Sequence, residues 1–107
     1  MPREDRQIIF SYAETYKALY SLCVQKEIKK PPPGNINATD ADAADDKKLL
    51  FAIENSQENS KYKREYSRDF LAAALMLYCR SEGIPISKRA RKSVELKDDE
   101  VVLRLRI

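Results

Sequence analysis

The chain has 107 residues, with 20 Lys plus Arg against 17 Asp plus Glu and a net charge of +3. That length fits a single domain over residues 1–107, and an apolar content of 43% is too high for wholesale disorder. Histidine is absent, which excludes Ser-His-Asp and Cys-His relays, His-ligated zinc and histidine pH switching together.

Residues 7–10, Gln-Ile-Ile-Phe, lead into Ser11-Tyr12-Ala13-Glu14, a capping-box pattern. In such a box the Ser hydroxyl accepts from the Glu14 amide while the Glu carboxylate reaches back to the Ser11 amide. Tyr12, Tyr16, Leu19, Tyr20 and Cys23 follow at i, i+4, i+7, i+8 and i+11, one face of an amphipathic helix. That helix is predicted to end near Glu27, because Pro31-Pro32-Pro33-Gly34 cannot continue it.

Residues 35–46 are small, polar and acidic, and read either as a solvated loop or as the first strand of a weak hairpin. Asp40, Asp42, Asp45 and Asp46 resemble a calcium loop only superficially, since its turn glycine and terminal Glu are missing. Residues 48–54, Lys-Leu-Leu-Phe-Ala-Ile-Glu, are predicted as a strand, and 55–60 as a turn or linker. Ser67 begins a second helix, with Asp69 placed to favour its dipole. Phe70 to Cys79 is the longest unbroken apolar run, ten residues, about half of a bilayer span. A helix apolar all round is buried on several sides, and Glu82-Gly83 followed by Pro85 stops it.

The tail from Ser93 to Ile107 reads as a hairpin turning at Asp98-Asp99. A two-residue turn sets Lys97 opposite Glu100, Leu96 opposite Val101 and Val94 opposite Leu103, which pairs charges with charges and apolar residues with each other.

Sliding the sequence by 56 brings Ser11 onto Ser67, Ala18 onto Ala74, Leu19 onto Leu75, Cys23 onto Cys79 and Ile28 onto Ile84. A shift of 54 brings Leu49, Phe51 and Ile53 onto Leu103, Leu105 and Ile107. Residues 7–54 and 63–107 thus read as an internal repeat of helix and hairpin, although so few identities leave chance open beside duplication. One such unit cannot bury its own helix face, whereas two can share a core. The expected fold class is α+β: two amphipathic helices packed on an antiparallel sheet, with a C-terminal β-hairpin.

Cys23 and Cys79 lie within apolar stretches, and the charged opening Met-Pro-Arg-Glu-Asp-Arg lacks the character of a signal peptide. The expected setting is therefore cytoplasmic and reducing, with both cysteines as buried thiols. At this length the core is small, so a homodimer is the default assembly.

Charge is uneven. Residues 1–59 hold 8 basic and 10 acidic side chains, and residues 60–107 hold 12 basic and 7 acidic. The densest basic run is Lys88-Arg89-Ala90-Arg91-Lys92. The hairpin register places Arg91 opposite Arg106, with Arg104 next along the same face, and like charges set opposite each other destabilise a sheet unless an anion covers them. Lys88, Arg89, Arg91, Lys92, Arg104 and Arg106 are therefore the candidate contacts for an anion or nucleic acid. Lys61, Lys63, Arg64 and Arg68 could reinforce them, with Tyr62 and Tyr66 stacking on unpaired bases. A solvated basic face is the competing explanation, and no helix-turn-helix, zinc knuckle or ribonucleoprotein motif is present.

Catalytic groups are few. The only glycines are Gly34 and Gly83, so no Gly-rich phosphate loop exists, and no carboxylate pair sits in an apolar segment where its pKa could be tuned. Neither enzymatic activity, nor a cofactor or metal, nor membrane insertion is expected. The leading reading is a small non-catalytic binding or regulatory module acting through protein–protein contacts, and six tyrosines without tryptophan suit it weakly. The alternative is a nucleic-acid-binding accessory protein that uses the C-terminal basic face.

Overall fold

A computed structural model describes residues 3–107; Met1 and Pro2 lie outside the described residues. Both helices form where their caps are encoded. Helix α1, Tyr12–Gln25, starts at Ser11, whose hydroxyl accepts from the Glu14 amide at 3.2 Å while Glu14 accepts from the Ser11 amide at 2.9 Å. Helix α2, Arg68–Ser81, starts at Ser67, which accepts from the Phe70 amide at 3.0 Å.

Each helix ends in a Schellman motif. The Ile28 amide donates to the Cys23 carbonyl and the Ile84 amide to the Cys79 carbonyl. The residue before each donor is left-handed: Gly83 with φ 73° and Glu27 with φ 56°. Glycine meets that requirement freely, whereas Glu27 meets it at a steric cost.

Six strands complete the chain: β1, Asp5–Ser11; β2, Asn35–Ala41; β3, Lys48–Asn55; β4, Ser60–Ser67; β5, Arg91–Lys97; and β6, Glu100–Arg106. Residues 35–41 are thus strand rather than loop. Strands β1 and β4, which the sequence reading did not separate from their surroundings, each run directly into a helix. The class is α+β as expected. The strands, however, divide into two three-stranded antiparallel sheets, ordered β1-β6-β5 and β2-β3-β4, rather than one.

The division falls between β2 and β5, which approach each other without ladder hydrogen bonds. Side chains from the first residue of each helix bridge that seam. The Tyr12 hydroxyl lies 3.2 Å from the Thr39 hydroxyl in β2 and donates to the Asp98 carbonyl in the β5–β6 turn. Arg68 donates to the Val94 carbonyl in β5 at 2.6 Å and to the Asp46 carbonyl in the β2–β3 connection. In β2 the register shifts between Ile36 and Ala38, and Asn37 donates to the Glu54 carboxylate. Such a bulge bends a strand and interrupts its regular edge.

The C-terminal hairpin has the anticipated register, with Lys97 opposite Glu100, Leu96 opposite Val101, Val94 opposite Leu103 and Arg91 opposite Arg106. Each half of the chain runs strand, helix, strand, strand, and the helices are offset by 56 residues. Residues 42–47 join β2 to β3, whereas only Asp98 and Asp99 join β5 to β6. The last strands are accordingly offset by 52, not by the 54 that the sequence comparison suggested. Strand β1 pairs with β6 and β4 pairs with β3, so each sheet takes strands from both halves.

One core lies between the helices and the inward faces of both sheets. Leu19, Leu71, Leu75 and Cys79 from the helices meet Phe10, Leu49, Phe51, Ile53, Val94, Val101, Leu103 and Leu105 from the strands. Burying each large apolar side chain contributes about 1.5–3 kcal/mol before chain entropy is counted. No helix among the described residues is long and apolar enough to cross a membrane.

Candidate basic site at the end of one sheet

The start of β5 and the end of β6 are paired, so the hairpin brings Arg91 and Arg106 side by side. The Ile107 amide donates to the Glu4 carbonyl at 2.9 Å, extending the β1–β6 pairing and drawing Arg3 to the same end. The result is a recess of about 590 Å³ lined by Arg3, Arg89, Arg91, Lys92, Ser93, Arg106 and Ile107. Among the described residues, Arg106 alone of its five cations has a carboxylate within ion-pair reach, Asp5 at 4.0 Å. Lys92 donates to the Ala90 carbonyl at 3.0 Å.

Four of the six candidate residues, Arg89, Arg91, Lys92 and Arg106, thus come together. The fifth cation, Arg3, was missed, because only the β1–β6 pairing reveals that the residues leading into β1 lie beside the end of β6.

Lys88 lies in an adjoining recess of about 530 Å³, together with Arg80 and the apolar side chains of Met76, Ile84, Pro85 and Ile86. Lys92 lines both recesses. Arg6 fixes the loop between them by donating to the Pro85 carbonyl at 2.7 Å.

Arg104 is not part of the recess. Its guanidinium grips Asp5 with two hydrogen bonds of 2.9 and 2.6 Å and reaches Glu95 at 3.2 Å. The bond from Arg104 holds the Asp5 carboxyl below the usual carboxylate range, and Asp5 and then Glu95 fix Arg104 more firmly in its charged form. Of the expected row of three unneutralised arginines, Arg91 alone keeps no carboxylate in ion-pair reach among the described residues, and Arg106 reaches Asp5 only at 4.0 Å. Asp5 pairs across to this face from β1, a strand that the hairpin register alone does not include.

The proposed reinforcement from residues 61–68 also has a structural explanation. Tyr62 and Tyr66 point inward from β4 and pack against the core. The Tyr66 ring lies 5.6 Å from both Phe51 and Phe70, and burial pushes its hydroxyl pKa up to about 12. Arg64 lies over Tyr62 at 5.7 Å, and Arg68 is committed to the seam. Tyr66 is thus engaged by two aromatic neighbours, and Tyr62 is partly buried with Arg64 over its ring. The aspartates of residues 42–46 serve the turn, with Asp42 and Asp45 accepting from the Ala44 and Lys47 amides.

A second surface runs along α1. Tyr16, Tyr20 and Tyr78 line a groove between the helices with Lys17 and Glu82. Beyond it Tyr20, Val24 and Ile28 are 39%, 49% and 48% exposed. The chain matches no protein-family model, no curated protein and no solved structure.

Proposed function

We propose that this chain is a non-catalytic binding module whose basic recess engages the phosphates of a nucleic acid. The observation that carries this reading is the convergence of Arg3, Arg89, Arg91, Lys92 and Arg106, four of them without a carboxylate in ion-pair reach among the described residues. Cations left without counter-charges bind phosphate with release of small ions, so affinity falls with salt. Two buried, unbridged cysteines support a reducing cytoplasmic setting. The shared element order of the halves supports reading them as an internal repeat.

The test is fluorescence anisotropy with a labelled single-stranded oligonucleotide across a salt series. Engagement of two phosphates gives a log–log slope of about −1.4, and Arg91→Ser with Arg106→Ser weakens binding and flattens the slope. No binding even at low salt would refute the reading.

A second reading rests on the α1 surface, where exposed Tyr20, Val24 and Ile28 extend the tyrosine-lined groove. It gives a protein-docking face, with a homodimer as the expected assembly. Sedimentation of wild type against Val24→Glu tests it: a concentration-dependent dimer lost in the variant supports it, and a monomer in both removes the homodimer.

A further inference from the structure

Within the nucleic-acid reading above, we infer that the recess receives a phosphorylated strand end, a terminal phosphomonoester, in preference to internal phosphodiesters. The terminal base then lies in the adjoining apolar recess. The first reason is shape. Five cations line one pocket, and past the shared Lys92 the basic residues continue to Lys88 and Arg80 in the adjoining recess. Along β6 the basic surface stops at Arg104, which Asp5 and Glu95 neutralise. A strand continuing across that face would meet those two carboxylates.

The second reason is charge. A monoester carries about −1.5 to −2 at neutral pH with three acceptor oxygens, whereas an internal diester carries a single charge. Arginine forks favour such an oxygen-rich, dianionic group over a diester. Concentrated positive charge is therefore matched better by a strand end than by any single internal linkage.

The third reason is what lies next door. Lys92 borders both recesses, and beyond it Met76, Ile84, Pro85 and Ile86 offer an apolar wall. A base one sugar away from the terminal phosphate has an apolar face to set against that wall. The wall holds no aromatic ring for stacking and presents chiefly aliphatic surface, so discrimination among bases is expected to be weak.

The experiment compares single-stranded 12-mers of one sequence carrying a 5′-phosphate, a 3′-phosphate or neither, each labelled at the opposite end or internally. One phosphorylated end is expected to bind about tenfold tighter than the unphosphorylated strand, the scale of one added charge-assisted contact. Comparing the two phosphorylated strands identifies the end. Arg91→Ser with Arg106→Ser removes the difference, and circular dichroism confirms that this exposed-site variant folds. Equal affinity for all three strands overturns the end preference and leaves the nucleic-acid reading standing, whereas absence of binding by all three removes both. In competition, a nucleoside 5′-monophosphate should displace the strand more effectively than ribose 5-phosphate. Equal displacement overturns the apolar base subsite.

Discussion

Leu75 sits at the middle of α2 with no accessible surface and contacts a core shared by both sheets. Replacing it with alanine removes three carbons, a transfer loss of about 2.4 kcal/mol at ~0.8 kcal/mol per methylene. A residual cavity on the order of 50 Å³ adds about 1.2 kcal/mol at ~24 cal/mol per Å³. The expected cost is thus about 3.5 kcal/mol, a large part of the ~5–15 kcal/mol typical of a domain. In urea, with a slope near ~1.5 kcal/mol/M, the unfolding midpoint should fall by about 2 M with the slope unchanged. Far-ultraviolet circular dichroism reads that transition directly. Leu19, equally buried on α1, should give a similar loss on truncation. Val24→Ala, at a position 49% exposed, should cost less than ~0.5 kcal/mol and serves as the control. A Leu75→Ala midpoint within experimental error of wild type would refute the placement of this side chain at the centre of a single core.

Two further outcomes follow from buried titratable groups. Tyr66, wedged between Phe51 and Phe70, has its hydroxyl pKa raised to about 12 from 10.0, chiefly by burial. A raised folded pKa means the unfolded chain loses that proton first, so the contribution is complete below pH 10 and is lost as pH rises toward 12. Ultraviolet titration of tyrosinate should show a late step that Tyr66→Phe removes; persistence of that step in the variant would assign it elsewhere. Cys23 and Cys79 are fully buried and burial raises both thiol pKa values, so a thiol reagent should label them slowly in the native state and rapidly after denaturant is added. Rapid labelling of the folded protein would contradict their burial.

Local chemistry made much of this fold legible in the sequence. Ser11 with Glu14, Ser67, and the stop at Gly83 are short-range signals, because a cap is satisfied by amides within one turn. The β5–β6 hairpin was legible for the same reason: a two-residue turn fixes the register, and the paired residues agree in character. Strand β1 was harder, since Ile8, Ile9 and Phe10 are consecutive apolar residues although Ile9 faces outward. Strand β4 hid its inward Tyr62, Arg64 and Tyr66 among charges, and read as a basic surface segment. Only long-range pairing decided how the strands divide into two sheets, because β1 and β6 lie at opposite ends of the chain. The same pairing decided the candidate site. It brought Arg3 to Arg91 and Arg106 and brought Asp5 to Arg104, so two arginines two residues apart on one strand acquired different surroundings. The basic run of residues 88–92 is written in the sequence. Whether each cation has a counter-charge depends on a neighbouring strand, and that neighbour is supplied by tertiary structure alone.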